Sequence, residues 1–237
     1  MIKICASVEA VAQAAVEIFF EQYKKAMLHS ERFSVVLSGG STPLRTYELL
    51  TQDPFKSQIK WSHIHLFWGD ERCVPVSDSK SNYGVFYRNF LSKVPIPESQ
   101  VHPILCDQEE NSAAKKYEEI LKNYFGGALP VFNFVFLGLG EDGHTASLFP
   151  DSSALGEKKR WVVSLKNKND DYSRITLTPH LINRSEMIVF LVTGKEKRSI
   201  LNEIKSGSEA SLHLPAKLIH SINGKLVWLT DSLANPN

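Results

Sequence analysis

The sequence lacks the features that mark membrane-spanning, secreted or nucleic-acid-binding proteins. No apolar run reaches the length that spans a bilayer, and the start MIKICASVEA has no basic segment followed by an apolar one. The 27 basic and 26 acidic residues leave a formal charge of +1, so no excess of positive charge attracts a polyanion. We therefore expect neither a membrane nor a nucleic acid as a partner.

Cysteine is also scarce, and the three cysteines at positions 5, 73 and 106 are far apart in the chain. An odd number without a Cys-x-x-Cys pair indicates neither a disulfide framework nor a thiolate zinc site. No His-Glu-x-x-His motif or comparable grouping of ligands occurs, so we expect no metal. Together these absences predict a metal-free protein of the reducing cytoplasm.

What is present is an alternation of apolar runs with helical patterns. Apolar residues recur about every three and a half positions through residues 8–28, which predicts an amphipathic helix. Short apolar runs predict buried strands at 33–37, 63–68, 131–137, 187–193 and 225–230. The runs 160–165 and 174–178 predict a hairpin or an edge pair. The fold class is therefore α/β, a doubly wound and mostly parallel sheet with helices on both faces, formed by residues 1–237 as one domain.

Three loops that follow predicted strands carry polar groups suited to chemistry. The first is SGGSTP, in which Gly39 and Gly40 let the backbone approach an anion while Ser41 or Thr42 caps the helix that follows. Such a helix start offers free N–H groups and the positive end of a dipole, which predicts a phosphate site. No Gly-Lys-Ser/Thr follows, so a nucleoside triphosphate is not indicated. The alternative is a tight turn with an ordinary cap.

The second loop is GDERCVP, directly after the strand 63–68. If the extended backbone continues, Asp70 and Arg72 face one side and Glu71 the other. Asp70 can act as a base or hold a sugar hydroxyl, and Arg72 can hold phosphate or a developing oxyanion. The alternative is a solvated salt bridge.

The third loop is GLGEDGHTASLFP, after the strand 131–137. His144 lies on a glycine-rich turn where it can exchange protons near neutral pH, and Asp142 is close enough to orient it. Thr145 and Ser147 are predicted to begin a short helix that ends at Pro150. The alternative for the histidine is a capping role.

Two isolated cations are further candidates. Arg174 begins the strand RITLT, and Lys197 lies at the start of a helix that follows a strand. Either can clamp a phosphate held by the first loop, although each taken by itself is more typical of a surface charge.

Taken in order, these motifs resemble the 6-phosphogluconolactonase family over most of the chain. The related glucosamine-6-phosphate deaminases typically carry DEY and a GHIAFNEP-like ending, whereas this chain has Arg72 and the ending TASLFP. The motifs that carry the resemblance are SGGSTP (38–43), DER (70–72), SNYG (81–84), GLGEDGHTASLFP (138–150) and RITLT (174–178).

The resemblance implies a modified doubly wound fold of the deaminase/isomerase type. It also implies hydrolysis of 6-phosphoglucono-1,5-lactone to 6-phosphogluconate, in the oxidative pentose phosphate pathway, without a cofactor. The matching positions imply that a phosphate loop is formed by Gly39, Gly40, Ser41 and Thr42, and that Asp70 and Arg72 are a charged pair lining the site. Asn82 is the asparagine of SNYG, and the catalytic turn consists of Asp142, Gly143 and His144. Arg174 and Lys197 correspond to two residues that clamp the phosphate. Relatives usually show GxxKA, so Lys195 or Arg198 is an alternative to Lys197.

Lactone hydrolysis needs an activated water, a stabilised oxyanion and a protonated leaving oxygen. We expect His144 to take the proton from the attacking water and return it to the ring oxygen. Arg72 or backbone N–H groups are candidates for holding the oxyanion. Two alternatives stay open: a phosphosugar deaminase or isomerase with Asp70 as base, and a non-catalytic sugar-phosphate sensor. We expect a monomer or small homo-oligomer.

Overall fold

The computed structural model of the chain describes residues 1–106, 109–168 and 170–236. These residues form ten strands, and seven of them match predicted strands with bounds that differ by at most three residues. The strands are β1 (Ile2–Cys5), β2 (Phe33–Leu37), β3 (Ile64–Trp68), β4 (Asp70–Arg72), β5 (Val101–His102), β6 (Phe134–Gly138), β7 (Val162–Lys166), β8 (Ser173–Leu177), β9 (Met187–Val192) and β10 (Lys225–Asp231).

The α-helices of the described residues alternate with these strands. The predicted helix at 8–28 is confirmed, and its first turn is capped by Ser7, whose hydroxyl accepts the N–H of Ala10 at 3.2 Å. The helices are α1 (Val8–Ala26), α2 (Ser41–Leu50), α3 (Phe55–Gln58), α4 (Asn82–Asn89), α5 (Glu110–Tyr124), α6 (Pro179–Ile182) and α7 (Arg198–Ser206). Short 3₁₀ turns lie at Trp61–His63, Leu91–Lys93, Glu98–Gln100, Ser153–Gly156, Lys195–Lys197, Ala210–His213 and Pro215–Leu218.

Seven strands form a parallel sheet in the order β1-β10-β9-β6-β2-β3-β5. Its central strands β2 and β9 are buried along their whole length, as a strand covered on both faces must be. Helix α1 packs on β9 and β10, and the ring of Phe19 meets Phe33 and Phe134 edge-on. The predicted α/β class with a parallel sheet is confirmed. Because the strands are parallel, their carboxyl ends all lie at the same edge of the sheet.

A second, antiparallel sheet has the order β4-β8-β7. The predicted hairpin or edge pair is confirmed in β7 and β8, and β4 adds a third strand. Gly69 joins the two sheets, because its N–H donates to Leu37 O and its carbonyl accepts from Leu177 N, both at 2.9 Å. The small sheet thus begins at the edge where the large sheet ends.

Three features of the chain differ from the predictions. Residues 145–150 form a tight turn with a bridge between Thr145 and Leu148, so the predicted short helix is wrong. Ala146 has φ +49°, a left-handed conformation that a right-handed helix excludes. Strand β1 was not predicted, because it is short and its first three residues are exposed.

The third difference is a disulfide between Cys73 and Cys106, whose Cα atoms lie 5.1 Å apart. The expectation of no disulfide is therefore corrected. The two cysteines are 33 positions apart, so no local signal links them, and it is the pairing of β3 with β5 that brings their loops together. Among the residues that the structure describes, none of the helices combines the length and the apolar character needed to cross a bilayer.

Candidate active site

A cavity of about 350 Å³ opens at the carboxyl ends of the central strands. It is bordered by the loops after β2, β6 and β9 and by the start of the small sheet. The structure brings nine of the predicted site residues to its wall: Gly39, Gly40, Ser41, Thr42, Asp70, Arg72, Asn82, His144 and Lys197. The predicted residues Asp142, Gly143 and Arg174 do not line this cavity.

The first loop presents a helix start without a capping side chain. Gly40, with φ +107°, is the N-cap of α2, so neither Ser41 nor Thr42 caps the helix as predicted. The left-handed φ is what requires glycine there. Both hydroxyl residues instead line the cavity, and Thr42 Oγ1 lies 2.6 Å from Thr193 Oγ1 on the neighbouring loop. The N–H groups of the first turn, with the positive end of the helix dipole, suit an anion.

Lys197 is the one of the three neighbouring basic residues that borders the cavity. It ends the 3₁₀ turn Lys195–Lys197, which follows Gly194 at φ +95°. The guanidinium of Arg198 is used elsewhere, since its Nε donates to Leu233 O at 3.1 Å. Lys195 is exposed outside the lining. The geometry therefore favours Lys197 among the alternatives that the sequence left open.

His144 is held on its turn by backbone and carboxylate bonds. Gly140 N donates to His144 O at 2.8 Å, and Gly143, with φ +81°, donates to Gly140 O at 3.1 Å. Asp142 Oδ1 lies 2.5 Å from the imidazole Nδ1 and accepts the His144 backbone N–H at 3.1 Å. The ring of Phe149 supports the imidazole, with 4.7 Å between the ring centres. The Nε2 atom has no hydrogen-bond partner within the described ranges, so it is available to the cavity.

The Asp142 carboxyl stays ionised near neutral pH. Partial burial alone would raise its pKa, but the hydrogen bond from the His144 backbone and the adjacent imidazole lower the pKa overall. An ionised carboxylate at Nδ1 favours a proton on that nitrogen. Nε2 is then free to act as an acceptor.

Strand β4 separates the charges of DER as the alternation predicts. Asp70 and Arg72 reach the cavity, while Glu71 faces the other way and accepts the N–H groups of Asn82 and Tyr83, each at 2.7 Å. Burial raises the pKa of Glu71 to about 7, although these N–H groups act in the opposite direction. Glu71 thus fixes the start of α4 and with it Asn82. Sequence reasoning assigned it no task.

Arg72 is anchored at one end only. Its Nη1 donates to Lys80 O at 2.8 Å, whereas its buried Nε has no hydrogen-bond partner in the described part of the chain. A buried unpaired donor costs free energy, so this Nε is a cost that the fold carries at the edge of the cavity.

Arg174 lies deeper than the predicted phosphate clamp requires. Its Nε donates to Asp170 Oδ2 at 2.7 Å, and its guanidinium stacks over Phe149, 5.2 Å from the ring centre. Its Nη1 lies 3.5 Å from the hydroxyl of Ser147, a buried residue that sequence reasoning did not include in the site. The clamping role of Arg174 stays a prediction that this position does not favour.

Comparisons with known proteins agree with this geometry. The family model described as glucosamine-6-phosphate isomerases/6-phosphogluconolactonase matches residues 6–228. The 6-phosphogluconolactonase of Haemophilus influenzae is 35% identical over 94% of this chain and 95% of that protein. The 6-phosphogluconolactonase of Synechocystis is 39% identical over 90% of this chain and 88% of that protein. The crystal structure of 6-phosphogluconolactonase from Thermotoga maritima superposes with a TM-score of 0.84 at 29% identity, covering 98% of this chain and 99% of that one.

Proposed function

The chain belongs to the glucosamine-6-phosphate isomerase/6-phosphogluconolactonase family, and from this premise we propose that it is an enzyme that hydrolyses 6-phosphoglucono-1,5-lactone to 6-phosphogluconate in the pentose phosphate pathway. The proposal rests on one observation: His144, whose Nδ1 contacts Asp142, lines the same cavity as the start of α2 and Lys197. Relatives named 6-phosphogluconolactonase at 35% and 39% identity support the substrate.

In the proposed reaction His144 acts as the base. Asp142 holds Nδ1, so Nε2 accepts a proton from the water that attacks the C1 carbonyl. The same proton then passes to the ring oxygen as the ester bond breaks. Acid–base catalysis of this kind is worth on the order of a hundred- to ten-thousand-fold in rate.

Phosphate binding positions the lactone for this step. The N–H groups at the start of α2 and the ammonium of Lys197 bind the 6-phosphate, and the hydroxyls of Ser41 and Thr42 lie in the same wall. This binding energy is remote from C1, and it is used to orient the carbonyl toward the water. The guanidinium of Arg72, which lines the cavity, is the side chain best suited to the oxyanion that forms at C1.

The remaining parts of the proposal concern the protein as a whole. We take residues 1–237 as one domain, without cofactor or metal, acting as a monomer or small homo-oligomer in the cytoplasm. Disulfides in the cytosol are usually transient or redox-sensing. The contribution of the Cys73–Cys106 bond to stability is therefore measured by comparing reduced with oxidised protein.

The test is to generate the lactone in situ by oxidation of glucose 6-phosphate and to follow its disappearance with and without protein. We expect the wild type to exceed the spontaneous rate and His144→Ala to lose about a hundredfold or more of kcat. A wild-type rate equal to that of buffer would overturn the activity. Near-normal turnover by His144→Ala would overturn only the base role.

A further inference from the structure

A line of polar contacts runs behind the cavity wall from Asp170 to Asp70. Arg174 donates from Nε to Asp170 Oδ2 at 2.7 Å and from Nη1 to Ser147 Oγ at 3.5 Å. Ser147 Oγ in turn lies 2.6 Å from Asp70 Oδ2. Ser147 is fully buried and Asp70 and Arg174 nearly so, and of these residues only Asp70 reaches the cavity.

The chemistry of the side chains determines which group donates and which accepts in each of these hydrogen bonds. A guanidinium has only donors, and a serine hydroxyl has a single hydrogen with two acceptor lone pairs. Ser147 must therefore accept from Arg174 and give its hydrogen to Asp70. The direction of every bond follows, and Ser147 serves as a donor to the carboxylate of Asp70.

The fold holds Ser147 where this bond forms. It follows Ala146, whose φ of +49° turns the chain inward, and its own N–H donates to Thr176 Oγ1 of β8 at 3.3 Å. On the other side of the turn, Thr145 Oγ1 donates to Gly138 O at 2.8 Å. The turn that carries His144 is thereby joined to both sheets.

Asp70 depends on hydrogen bonds because no described residue forms an ion pair with it. Asn82 Nδ2 lies 3.3 Å from Asp70 Oδ1 and donates to the Asp70 carbonyl at 3.0 Å. Ser147 holds the other oxygen at 2.6 Å. A buried carboxylate with its position fixed by two neutral donors keeps lone pairs free for a third.

From this arrangement we infer that Ser147 and Arg174 are positioning residues that act through Asp70, and that Asp70 accepts a hydrogen bond from a ring hydroxyl of the substrate. The inference rests on the proposed function. A phosphosugar lactone offers hydroxyl donors along its ring, whereas its phosphate would be repelled by Asp70 and attracted to Lys197 at the same wall. Asp70 would then set which hydroxyl pattern the cavity accepts.

A double-mutant cycle on lactone hydrolysis tests this chain of action. We expect Ser147→Ala and Asp70→Asn each to lower kcat/KM roughly 10- to 100-fold, mainly through KM, as the loss of a bond to a charged group does. In the Asp70→Asn background, Ser147→Ala should change kcat/KM by less than about twofold. Arg174→Lys, which keeps the charge but not the fork of donors, should follow Ser147→Ala in direction with a smaller loss.

Two variants separate positioning from packing. Ser185→Ala is the matched control and should leave kcat/KM unchanged. Ser185 is also fully buried, but its hydroxyl has no hydrogen-bond partner among the described residues. Ser147→Cys nearly preserves volume with a poor donor, so it should reproduce the kinetic loss of Ser147→Ala even if the alanine variant folds poorly.

A series of deoxy lactones tests the hydroxyl contact. The lactone that lacks the accepted hydroxyl should be hydrolysed equally by wild type and Asp70→Asn. Equal sensitivity of all deoxy lactones to Asp70→Asn would overturn this contact. Full additivity of Ser147→Ala with Asp70→Asn, or wild-type kinetics of Ser147→Cys, would overturn the positioning role. Inactive wild-type protein would instead refute the proposed function, so the two failures are distinguishable.

Discussion

Asp142 holds His144 twice with one oxygen: its Oδ1 lies 2.5 Å from the imidazole Nδ1 and 3.1 Å from the backbone N of His144. The backbone bond fixes the carboxylate relative to the turn, and the side-chain bond then fixes the ring relative to the carboxylate. The direction of Nε2 is therefore set by residues of the turn itself. A base that is oriented in this way needs no rearrangement before it meets water.

Asp142→Asn is expected to lower kcat on the order of a hundredfold with little change in KM. An amide that turns its NH₂ toward Nδ1 places the ring proton on Nε2, which removes the acceptor from the cavity. Steady-state kinetics on freshly generated lactone measures the effect. Glu141→Gln is the control, since Glu141 is the exposed carboxylate next in sequence and does not line the cavity. Equal kinetics of both variants would contradict the orienting role.

Much of the scaffold was predictable from the sequence because buried parallel strands are continuous apolar runs. The segment 33–37 coincides with β2. The alternation of an extended chain also placed Asp70 and Arg72 on one side and Glu71 on the other, as β4 confirms. Such features depend on local sequence alone, so no knowledge of the fold is needed to infer them.

The rest of the site depends on contacts between distant parts of the chain. Ser147 meets Asp70 across 77 positions, and Cys73 meets Cys106 across 33. In the sequence Glu71 resembles a third surface charge, and only the structure shows that it accepts the first N–H groups of α4. The predicted helix at 145–150 is wrong for a local reason, because Ala146 has a left-handed backbone conformation. Alanine seldom adopts this conformation, and no residue type in the turn indicates it.

Gly140→Ala is expected to lower kcat on the order of a hundredfold by displacing the imidazole. A methyl group at this position would overlap the His144 ring at Nδ1 and Cε1, and a shift of about an ångström at a reacting group has such a cost. Gly156→Ala is the matched control, because nothing lies within 4 Å of the added carbon there. Thermal melts check that both variants fold. Wild-type kcat in Gly140→Ala would show that the ring has room to move without loss.

Lys197→Ala is expected to raise KM for the lactone roughly 10- to 100-fold and to weaken competitive inhibition by inorganic phosphate in parallel. Both follow from the loss of a charge-assisted bond to the 6-phosphate. Lys195→Ala, which removes the same charge from an exposed position two residues away, should change KM by less than about twofold. If Lys195→Ala has the larger effect, the anion lies further out than the start of α2.

Cys73→Ser is expected to lower the free energy of unfolding by about 2–4 kcal/mol under oxidising conditions, because the disulfide closes a loop of 33 residues in the unfolded chain. Urea unfolding with and without a dithiol reductant measures the difference. Cys106→Ser and the double variant should match Cys73→Ser, since each removes the same bond, and reductant should abolish all differences. A loss that persists in reductant would instead reflect the packing of the cysteine side chain.

Glu71 is expected to make the protein less stable as pH rises from about 5 to 8. Burial, with a smaller contribution from the charge of Asp70, raises its pKa to about 7 from the ordinary 4.5. Between these values the folded state holds a proton that the unfolded chain has lost, so the free energy of unfolding falls as pH increases. The difference corresponds to roughly 3 kcal/mol once pH exceeds the folded pKa.

Urea unfolding of wild type and Glu71→Gln at pH 5 and pH 8 isolates this group, because glutamine does not titrate. We expect the wild type to lose stability relative to Glu71→Gln between the two pH values. A constant difference would overturn the raised pKa of Glu71. The N–H groups of Asn82 and Tyr83 would then keep the carboxylate ionised at both pH values.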